Sequence, residues 1–404
     1  MLRIAILHVN NSYNYGNFMM GLNLIRELDS QDKVFLLEVN SDDDFFRFHK
    51  GVESKIERIR FSQKSFNNKI SRFTNRLLFS VKNRTTDILN HEPDAIIILG
   101  GDDLSEYYEK WKIFVALELY YLYKLNKHVP VFLVGQTIGP YNSWRKIAAR
   151  RFLKDLNIYS RDPHCAEYLR KELKVDNVFE SSDLAFLPLL GQDEAKLSHG
   201  LKEENYLTLV PSGLVKHYSK GFDIYVSEWV KIINRLLKLF EKKQIVLLAH
   251  VLKPESSDDR VVINAIMERV NDKRVIAITD EMLPTEARII VGNGIMTITG
   301  RMHAAISTFQ MGKPAISLAY SVKYGGIIGE DLGRHDLIID CKDKTIWEDG
   351  RIVDMVMDRV DYVEKNYPRL QKEIKIGVKR LQKKAMAQIE DIAKKLKEID
   401  NGKK

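Results

Sequence analysis

The sequence has few cysteines and no long hydrophobic run. Its only cysteines, Cys165 and Cys341, lie far apart and form no Cys-x-x-Cys pair. This spacing argues against a disulfide framework and against a cysteine metal site. No apolar stretch approaches the roughly 20 residues that a membrane-spanning helix needs. The short apolar segment at residues 4–7 predicts a first strand, not a signal peptide, so a cytoplasmic location is expected.

Length and composition indicate a folded protein with two domains. The chain has 404 residues, of which 45% are hydrophobic and 29% charged, and this length exceeds what one core usually supports. The net charge of +8 favours an anionic partner, such as a phosphorylated substrate, an acidic lipid surface or nucleic acid. The lysines are spread along the chain instead of forming a basic block with interleaved aromatics, which argues against nucleic acid.

Short apolar runs alternate with longer amphipathic stretches, as in parallel α/β proteins. The pattern predicts strands at residues 3–9, 34–39, 95–99, 131–135 and 157–160, with helices at 18–28, 108–125, 144–156 and 163–173. A second series of strands is predicted at residues 206–210, 245–249, 275–278, 294–298 and 315–318. Two doubly wound units therefore follow one another.

Composition suggests where these units end. The polar stretch at 191–205 reads as a linker, so we expect Rossmann-like domains at 1–190 and 205–345 and a helical segment at 346–404. From Ile374 to Ile399, apolar residues recur every three or four positions with lysines opposite, which predicts one long amphipathic helix. Packing on the domains or on a partner subunit is favoured over binding to a membrane surface. No internal repeat or low-complexity tract is present.

Glycine and polar residues follow several predicted strands of the first half. Ligands of open parallel sheets bind beyond the carboxyl ends of the strands, so these loops are candidates for binding. They contain Asn14, Gly16, Asn17, Gly100, Gly101, Asp102, Asp103 and Gln136. The paired glycines allow close approach of backbone to a ligand. Asp102 and Asp103 could bind sugar hydroxyls or cap the next helix.

The second half has a sharper constellation, Gly300-Arg301-Met302-His303, between a strand and a helix. A helix N-terminus attracts an anion, an arginine there can grip phosphate or carboxylate, and a histidine can exchange protons near neutral pH. Arg161, His250 and Lys323 also follow predicted strands. Their structural alternatives are a salt bridge or helix cap for Arg161, an exposed imidazole for His250 and a solvated amine for Lys323.

Taken in order, these motifs resemble those of polysaccharide pyruvyltransferases. The matching stretches lie near Gly16, at Pro93-Asp94 with residues 100–102, and at residues 135–140, 160–162, 182–185, 250, 300–304 and 314–323. The family often has Gly-Asp where this chain has Gly16-Asn17. The resemblance implies a GT-B-like fold, with two Rossmann-like domains facing a cleft and C-terminal helices.

The resemblance also implies an activity, namely transfer of pyruvate from phosphoenolpyruvate to a sugar of a cell-surface polysaccharide, giving a pyruvate ketal. His303 and Arg301 would be catalytic, and the donor would be bound by Arg301 with Arg161, Gly300, His250 and Lys323. The loops of the N-terminal domain would bind the sugar or lipid-linked glycan acceptor. No metal or cofactor is expected.

Two other functions stay open at this point. A GT-B glycosyltransferase would use a nucleotide-sugar donor at the equivalent helix, and a noncatalytic relative would only bind glycans. The oligomeric state, including a homo-oligomer, and peripheral contact of the basic C-terminal helix with an acidic membrane also stay open.

Overall fold

The computed structural model describes residues 1–61, 80–101, 104–106 and 113–402. The chain forms two compact units, of which the first comprises Met1–Asn10, Met20–Leu184 and Lys383–Lys404. The second comprises Asn11–Met19 and Ala185–Gln382. Each unit is an α/β domain built on a parallel sheet. The predicted class, two Rossmann-like domains with a helical C-terminus, is confirmed.

The first sheet has seven parallel strands in the order β3-β2-β1-β4-β5-β6-β7. The strands are β1 (Leu2–Leu7), β2 (Lys33–Leu37), β3 (Ile56–Arg58), β4 (Ala95–Leu99), β5 (Val131–Gln136), β6 (Asn157–Ser160) and β7 (Val178–Glu180). The helices up to this point are α1 (Tyr15–Leu28), α2 (Asp42–Gly51), α3 (Ser80–Leu89), α4 (Ile113–Asn126), α5 (Trp144–Leu153) and α6 (Pro163–Glu167). Every residue of β4 and β5 is buried, as expected for strands covered on both faces.

The second sheet has six parallel strands in the order β10-β9-β8-β11-β12-β13. They are β8 (Tyr206–Val210), β9 (Gln244–Leu248), β10 (Val275–Ile278), β11 (Thr297–Thr299), β12 (Ala315–Ala319) and β13 (Ile338–Asp340). The helices are α7 (Phe222–Leu239), α8 (Asp259–Met267), α9 (Pro284–Asn293), α10 (Met302–Gln310), α11 (Thr345–Glu348) and α12 (Arg351–Asn401). The strand order reverses between β8 and β11, so the loops after these two strands flank the point where such sheets bind ligands.

The structure differs from the expected elements mainly in short or irregular segments. The three-residue strands β3, β7 and β13 were not predicted, because three residues are too few to show an alternating pattern. The helix expected at 163–173 is α6 followed by a π-helical turn at Tyr168–Glu172. The start of the helix expected at 108–125 lies outside the described residues, and the remainder is α4.

The two units also divide the chain differently from the expected domains. The boundary falls between Leu184 and Ala185, before the polar stretch at 191–205, and the loop Asn11–Met19 belongs to the second unit. The segment expected as a separate helical region, 346–404, contributes to both units, with residues from Lys383 onward in the first.

Helix α12 is fixed to the first unit through its last third. The side chain of Gln388 is buried, accepts from Ser181 Oγ at 2.9 Å and donates to the Ser182 carbonyl at 2.9 Å. Tyr159 Oη donates to Asp391 at 2.5 Å, while Ile392 is fully buried. The apolar face of this helix therefore packs within the chain itself. Among the described residues, no helix is long and apolar enough to cross a membrane.

We expect Ile392→Ala to lower the free energy of unfolding by about 2 to 5 kcal/mol, because it empties a buried site. The matched control is Lys394→Ala, an exposed change on the same helix, with an effect within about 0.5 kcal/mol. Urea unfolding followed by circular dichroism measures both. Equal stability of the two variants would contradict the packing of this helix.

Candidate functional site

Asp259 connects three loops at the carboxyl edge of the second sheet. This carboxylate is fully buried at the start of α8. It accepts from the backbone N–H groups of Gly213 at 2.7 Å, His250 at 3.0 Å and Val251 at 2.9 Å. It also accepts from Arg301, at 3.0 Å from Nε and 2.6 Å from Nη2. The loops after β8, β9 and β11 are therefore held by one side chain.

Arg301 is fixed at the N-terminus of α10. Its backbone N–H donates to Thr299 Oγ1 at 2.8 Å, and its Nη2 also donates to the Ser257 carbonyl at 2.5 Å. The side chain is 10% exposed. Burial opposes its charge, but attraction to Asp259 outweighs that effect and raises the pKa of Arg301 above its ordinary value. The guanidinium is a permanent, oriented cation beside a helix N-terminus.

His303 lies in the first turn of α10, directly against the first glycine loop. A Cβ atom built at Gly16 would overlap the imidazole ring of His303, so only glycine fits beside it. The loop is attached to the same unit, because Tyr15 N donates to the His250 carbonyl at 3.2 Å and Leu252 N donates to the Tyr13 carbonyl at 2.9 Å. The structure thus places Gly16 beside the Arg-Met-His motif.

The same loop carries the other two candidates, Asn14 and Asn17. Asn14 forms an isolated antiparallel bridge with Val251, and its Oδ1 accepts from Asn17 N at 3.5 Å. Both were expected on the N-terminal domain. They belong instead to the second unit, because the loop pairs with the segment after β9.

His250 is a buried imidazole behind this loop. Its ring contacts that of Tyr15 edge-on, with centroids 5.5 Å apart, and the residue is 2% exposed. Burial lowers the pKa of His250 well below 6.5, and electrostatic interaction with His303, Arg301 and Arg288 lowers it further. His250 is therefore neutral near pH 7, unlike the exposed imidazole weighed as its structural alternative.

A second group of polar residues surrounds Gly300. The Gly300 carbonyl accepts from Tyr218 Oη at 2.7 Å and from Tyr324 Oη at 2.9 Å. Lys323 Nζ donates to Tyr320 Oη at 3.1 Å. Lys323 is thus held beside the turn instead of being a freely solvated amine.

His217 lies beside the same group of residues. Its ring lies 5.1 Å from that of Tyr320. Burial lowers its pKa, and repulsion from surrounding cations lowers it further; these are Lys216, Lys344, Lys323 and Arg301. Cations from the loops after β8, β11 and β12 therefore create a positive field along one edge of the sheet, which suits an anionic ligand.

The candidates of the first unit have structural partners. Arg161 forms a buried ion pair with Asp183 at 2.9 Å, and its Nε donates to Thr137 Oγ1 at 3.0 Å. Gln136 is also buried and donates to the Ile98 carbonyl at 3.2 Å. Arg161 belongs to the first unit, and its role in donor binding remains a prediction.

Gly100 and Gly101 lie where the ends of β4 and β5 meet. A Cβ at Gly100 would overlap the Gly135 carbonyl, and the Gly101 carbonyl accepts from Thr137 N at 3.0 Å. The glycine at position 100 is therefore required by the chain's own backbone. Asp102, like Asp103, lies outside the described residues.

Sequence reasoning missed Asp259, His217, Tyr218 and Tyr324. Asp259 had one local signal, the pair Asp258-Asp259 before an apolar helix, which indicates a helix start but not its long-range bonds. Within the described ranges, no group of three or more histidine, cysteine or acidic side chains could hold a metal ion.

The family model for polysaccharide pyruvyl transferase matches residues 14–322. The chain belongs to this family. The match begins in the Asn14-Tyr15-Gly16-Asn17 loop and includes Asp259, Arg301 and His303. This match confirms the predicted family and supports the prediction that the protein is a transferase.

Relatives and solved structures are consistent with this assignment. The amylovoran biosynthesis protein AmsJ of Erwinia amylovora is 23% identical over 296 residues, covering 70% of this chain and 68% of AmsJ. The UDP-GlcNAc 2-epimerase of Neisseria meningitidis, solved with UDP-GlcNAc, has a TM-score of 0.57 at 14% identity, covering 97% of this chain and 99% of that one. A glycosyltransferase of Rickettsia africae has a TM-score of 0.54 at 12% identity, covering 98% of each chain. These similarities confirm a GT-B-like fold.

We expect Asp259→Ala to destabilise the second unit of this pyruvyl transferase family member by about 3 to 5 kcal/mol, because it leaves the buried Arg301 cation unpaired. Urea unfolding followed by the emission of Trp229 and Trp347, both buried in that unit, measures the effect. Asp272→Ala, which breaks the more exposed pair with Arg274, is the control and should unfold like the unchanged protein. A similar result for Asp259→Ala would contradict the central role of this carboxylate.

We also expect stability to fall as the pH drops below about 6.5. The pKa of His250 is depressed in the folded state, so protons bind the unfolded state first. His250 therefore contributes full stability above its unfolded pKa and loses it as the pH falls toward the folded pKa.

Urea unfolding at pH 7.5, 6.5 and 5.5 tests this expectation. His250→Asn should flatten the pH dependence, leaving a residual slope from His217, whose pKa is shifted in the same direction. His128→Asn, at an exposed position, should retain the original slope. An unchanged slope in His250→Asn would contradict the assignment.

Proposed function

We propose that the chain transfers pyruvate from phosphoenolpyruvate to a sugar of a cell-surface glycan or its precursor, forming a cyclic ketal. The observation that carries the proposal is the placement of Arg301 and His303 at the N-terminus of α10, after β11, where the strand order of the second sheet reverses. The family match supports the class of reaction, and the cations at this edge suit a donor with both a phosphate and a carboxylate.

The donor's charges can be assigned to this edge of the sheet. Arg301 uses Nε and Nη2 to bind Asp259 and Ser257, which fixes the plane of its guanidinium toward the ligand. Lys323 adds a positive group from the turn after β12. The backbone N–H groups at the start of α10 supply a further anion-binding element. Together they would bind phosphate and carboxylate and stabilise the charge that moves onto phosphate.

The reaction needs one proton donor and two sugar hydroxyls. A proton is added to the methylene carbon of phosphoenolpyruvate, and one hydroxyl attacks the adjacent carbon as it becomes cationic. The C–O bond to phosphate then breaks, which makes this carbon cationic again, and the second hydroxyl attacks it to close the ketal. One of the two hydroxyl protons replaces the proton that was added to the methylene carbon, and the other leaves with phosphate. We assign the proton transfers to His303.

In this proposal the first glycine loop lies beside the proton-transfer residue His303. Gly16 contacts the His303 ring, so Asn14 and Asn17 lie on a loop that orients the imidazole. We retain these two residues as acceptor-binding candidates. Gly100, Gly101, Asp102 and Gln136 are retained as acceptor-side candidates of the first unit, and Arg161 as a donor-binding candidate.

The experiment that tests the function compares thermal unfolding with phosphoenolpyruvate and with UDP-GlcNAc. A ligand at 100 times its dissociation constant stabilises by about 2.7 kcal/mol, so specific binding gives a clear shift. We expect a shift with phosphoenolpyruvate that is strongly reduced in Arg301→Lys, because lysine retains the charge but not the planar set of N–H donors of the guanidinium. Arg274→Lys, before β10 at the opposite edge of the sheet, should keep the shift. Stabilisation by UDP-GlcNAc alone would favour a nucleotide-sugar glycosyltransferase.

We expect His303→Asn to lower turnover by about 10²- to 10⁴-fold, the usual contribution of a proton-transfer residue. The phosphoenolpyruvate-induced shift should persist, because His303 is assigned to proton transfer and not to charge binding. Phosphate release in the presence of an acceptor glycan measures turnover. Near-normal turnover would remove His303 from the mechanism.

A further inference from the structure

The first unit contains a pocket that the donor chemistry does not use. Its volume is about 420 Å³, within the range of about 300 to 1,000 Å³ typical of small-molecule sites. The segments that follow β1 and β2 and the end of β3 form its walls. These three strands are neighbours in the sheet, and their carboxyl edge is where open parallel sheets bind ligands.

Two residues that line this pocket each carry a buried polar atom without a partner. Asn10 Oδ1 and Arg58 Nε have no hydrogen-bond partner within the described part of the chain. One is an acceptor and the other a donor, and buried groups of both kinds are normally satisfied. A hydroxyl group can donate to Asn10 and accept from Arg58, so a ligand rich in hydroxyls matches both.

The polar walls are held in place before any ligand binds. Asn40 N donates to the Asn10 carbonyl at 3.1 Å, and His8 N donates to Glu38 Oε2 at 2.9 Å. Arg58 pairs with Asp42. A site whose groups are already ordered loses less entropy when a ligand binds.

The balance of charge and shape narrows the ligand class. The carboxylates of Glu38 and Asp42 offset the guanidinium groups of Arg58 and Arg60, so neither a free phosphate nor a cation is favoured. Phe61, partly buried against the core of the first unit, offers a fixed apolar face for the C–H face of a sugar ring. Hydroxyl-matching atoms beside such a face are what a pyranose requires.

The geometry points to this pocket as the binding site for one pyranose unit of the acceptor glycan. That a pyranose binds here follows from the pocket alone, whereas its identity as part of the acceptor rests on the proposed function. None of the acceptor-side residues inferred from the glycine loops lines this pocket, so it adds a separate determinant of acceptor specificity.

The test measures binding of methyl glycosides of glucose, galactose, mannose and glucuronic acid by saturation-transfer NMR. Asn40→Trp places a large ring at an exposed position of the pocket wall and should abolish the signal. Asp29→Trp, exposed just after α1, is the matched control and should keep it. Asn10→Ala, a smaller change, should weaken the affinity at least about fivefold, because it removes the unpaired acceptor.

The outcomes separate this proposal from the proposed function. The pocket is supported if Asn40→Trp loses the sugar signal while Asp29→Trp keeps it. The phosphoenolpyruvate-induced thermal shift should then be intact in every variant. Absence of binding by all four glycosides, or an undiminished signal in Asn40→Trp, overturns it. A sugar signal that Asn40→Trp abolishes, in a protein that phosphoenolpyruvate does not stabilise, keeps the pyranose site and refutes the pyruvyl-transfer proposal.

Discussion

The carboxylate of Asp259 is the interaction on which the second unit's candidate site depends. It bonds at once to the loops after β8, β9 and β11. Its charge allows Arg301 to stay ionised in a buried position, and its bonds to Nε and Nη2 fix the orientation of the guanidinium. The backbone N–H groups that it accepts from would otherwise be buried without partners, so one side chain satisfies both the backbone and the cation. The arrangement is ordered in advance, as electrostatic stabilisation of a reaction requires.

Ten of the thirteen strands and the Gly300-Arg301-Met302-His303 motif could be predicted from sequence, because buried parallel strands are continuous apolar runs and the motif lies at a strand-to-helix junction. Asp259 could not, because its partners are backbone N–H groups that become neighbours only when the sheet forms. The docking of the first glycine loop was missed for a similar reason. In the sequence, Gly16 indicates only that a side chain is excluded at this position. The group that excludes it is the imidazole of His303, 287 positions further along the chain.

Burial also changes the role that the structure indicates for several candidate site residues. Arg161 and Gln136 carry the residue types of a binding site, yet both are nearly inaccessible and bonded to neighbouring groups of the first unit. Sequence cannot distinguish an arginine that grips a ligand from one that pairs with Asp183, because both follow a strand and precede a helix. The basic C-terminal helix is similar, since its lysines suggested an acidic surface while its apolar face is occupied by the protein's own core.

The path of the chain has a consequence for biosynthesis. The backbone passes between the two units at residues 10–11, 19–20, 184–185 and 382–383, and Tyr159 bonds to Asp391, 232 residues later. The first unit therefore lacks the helical segment from Lys383 onward until that segment has been synthesised. Its sheet stays incompletely covered while the whole second unit is synthesised. Folding of the emerging polypeptide cannot proceed simply from the first domain to the next, and cutting the chain once between the sheets would leave two incomplete fragments.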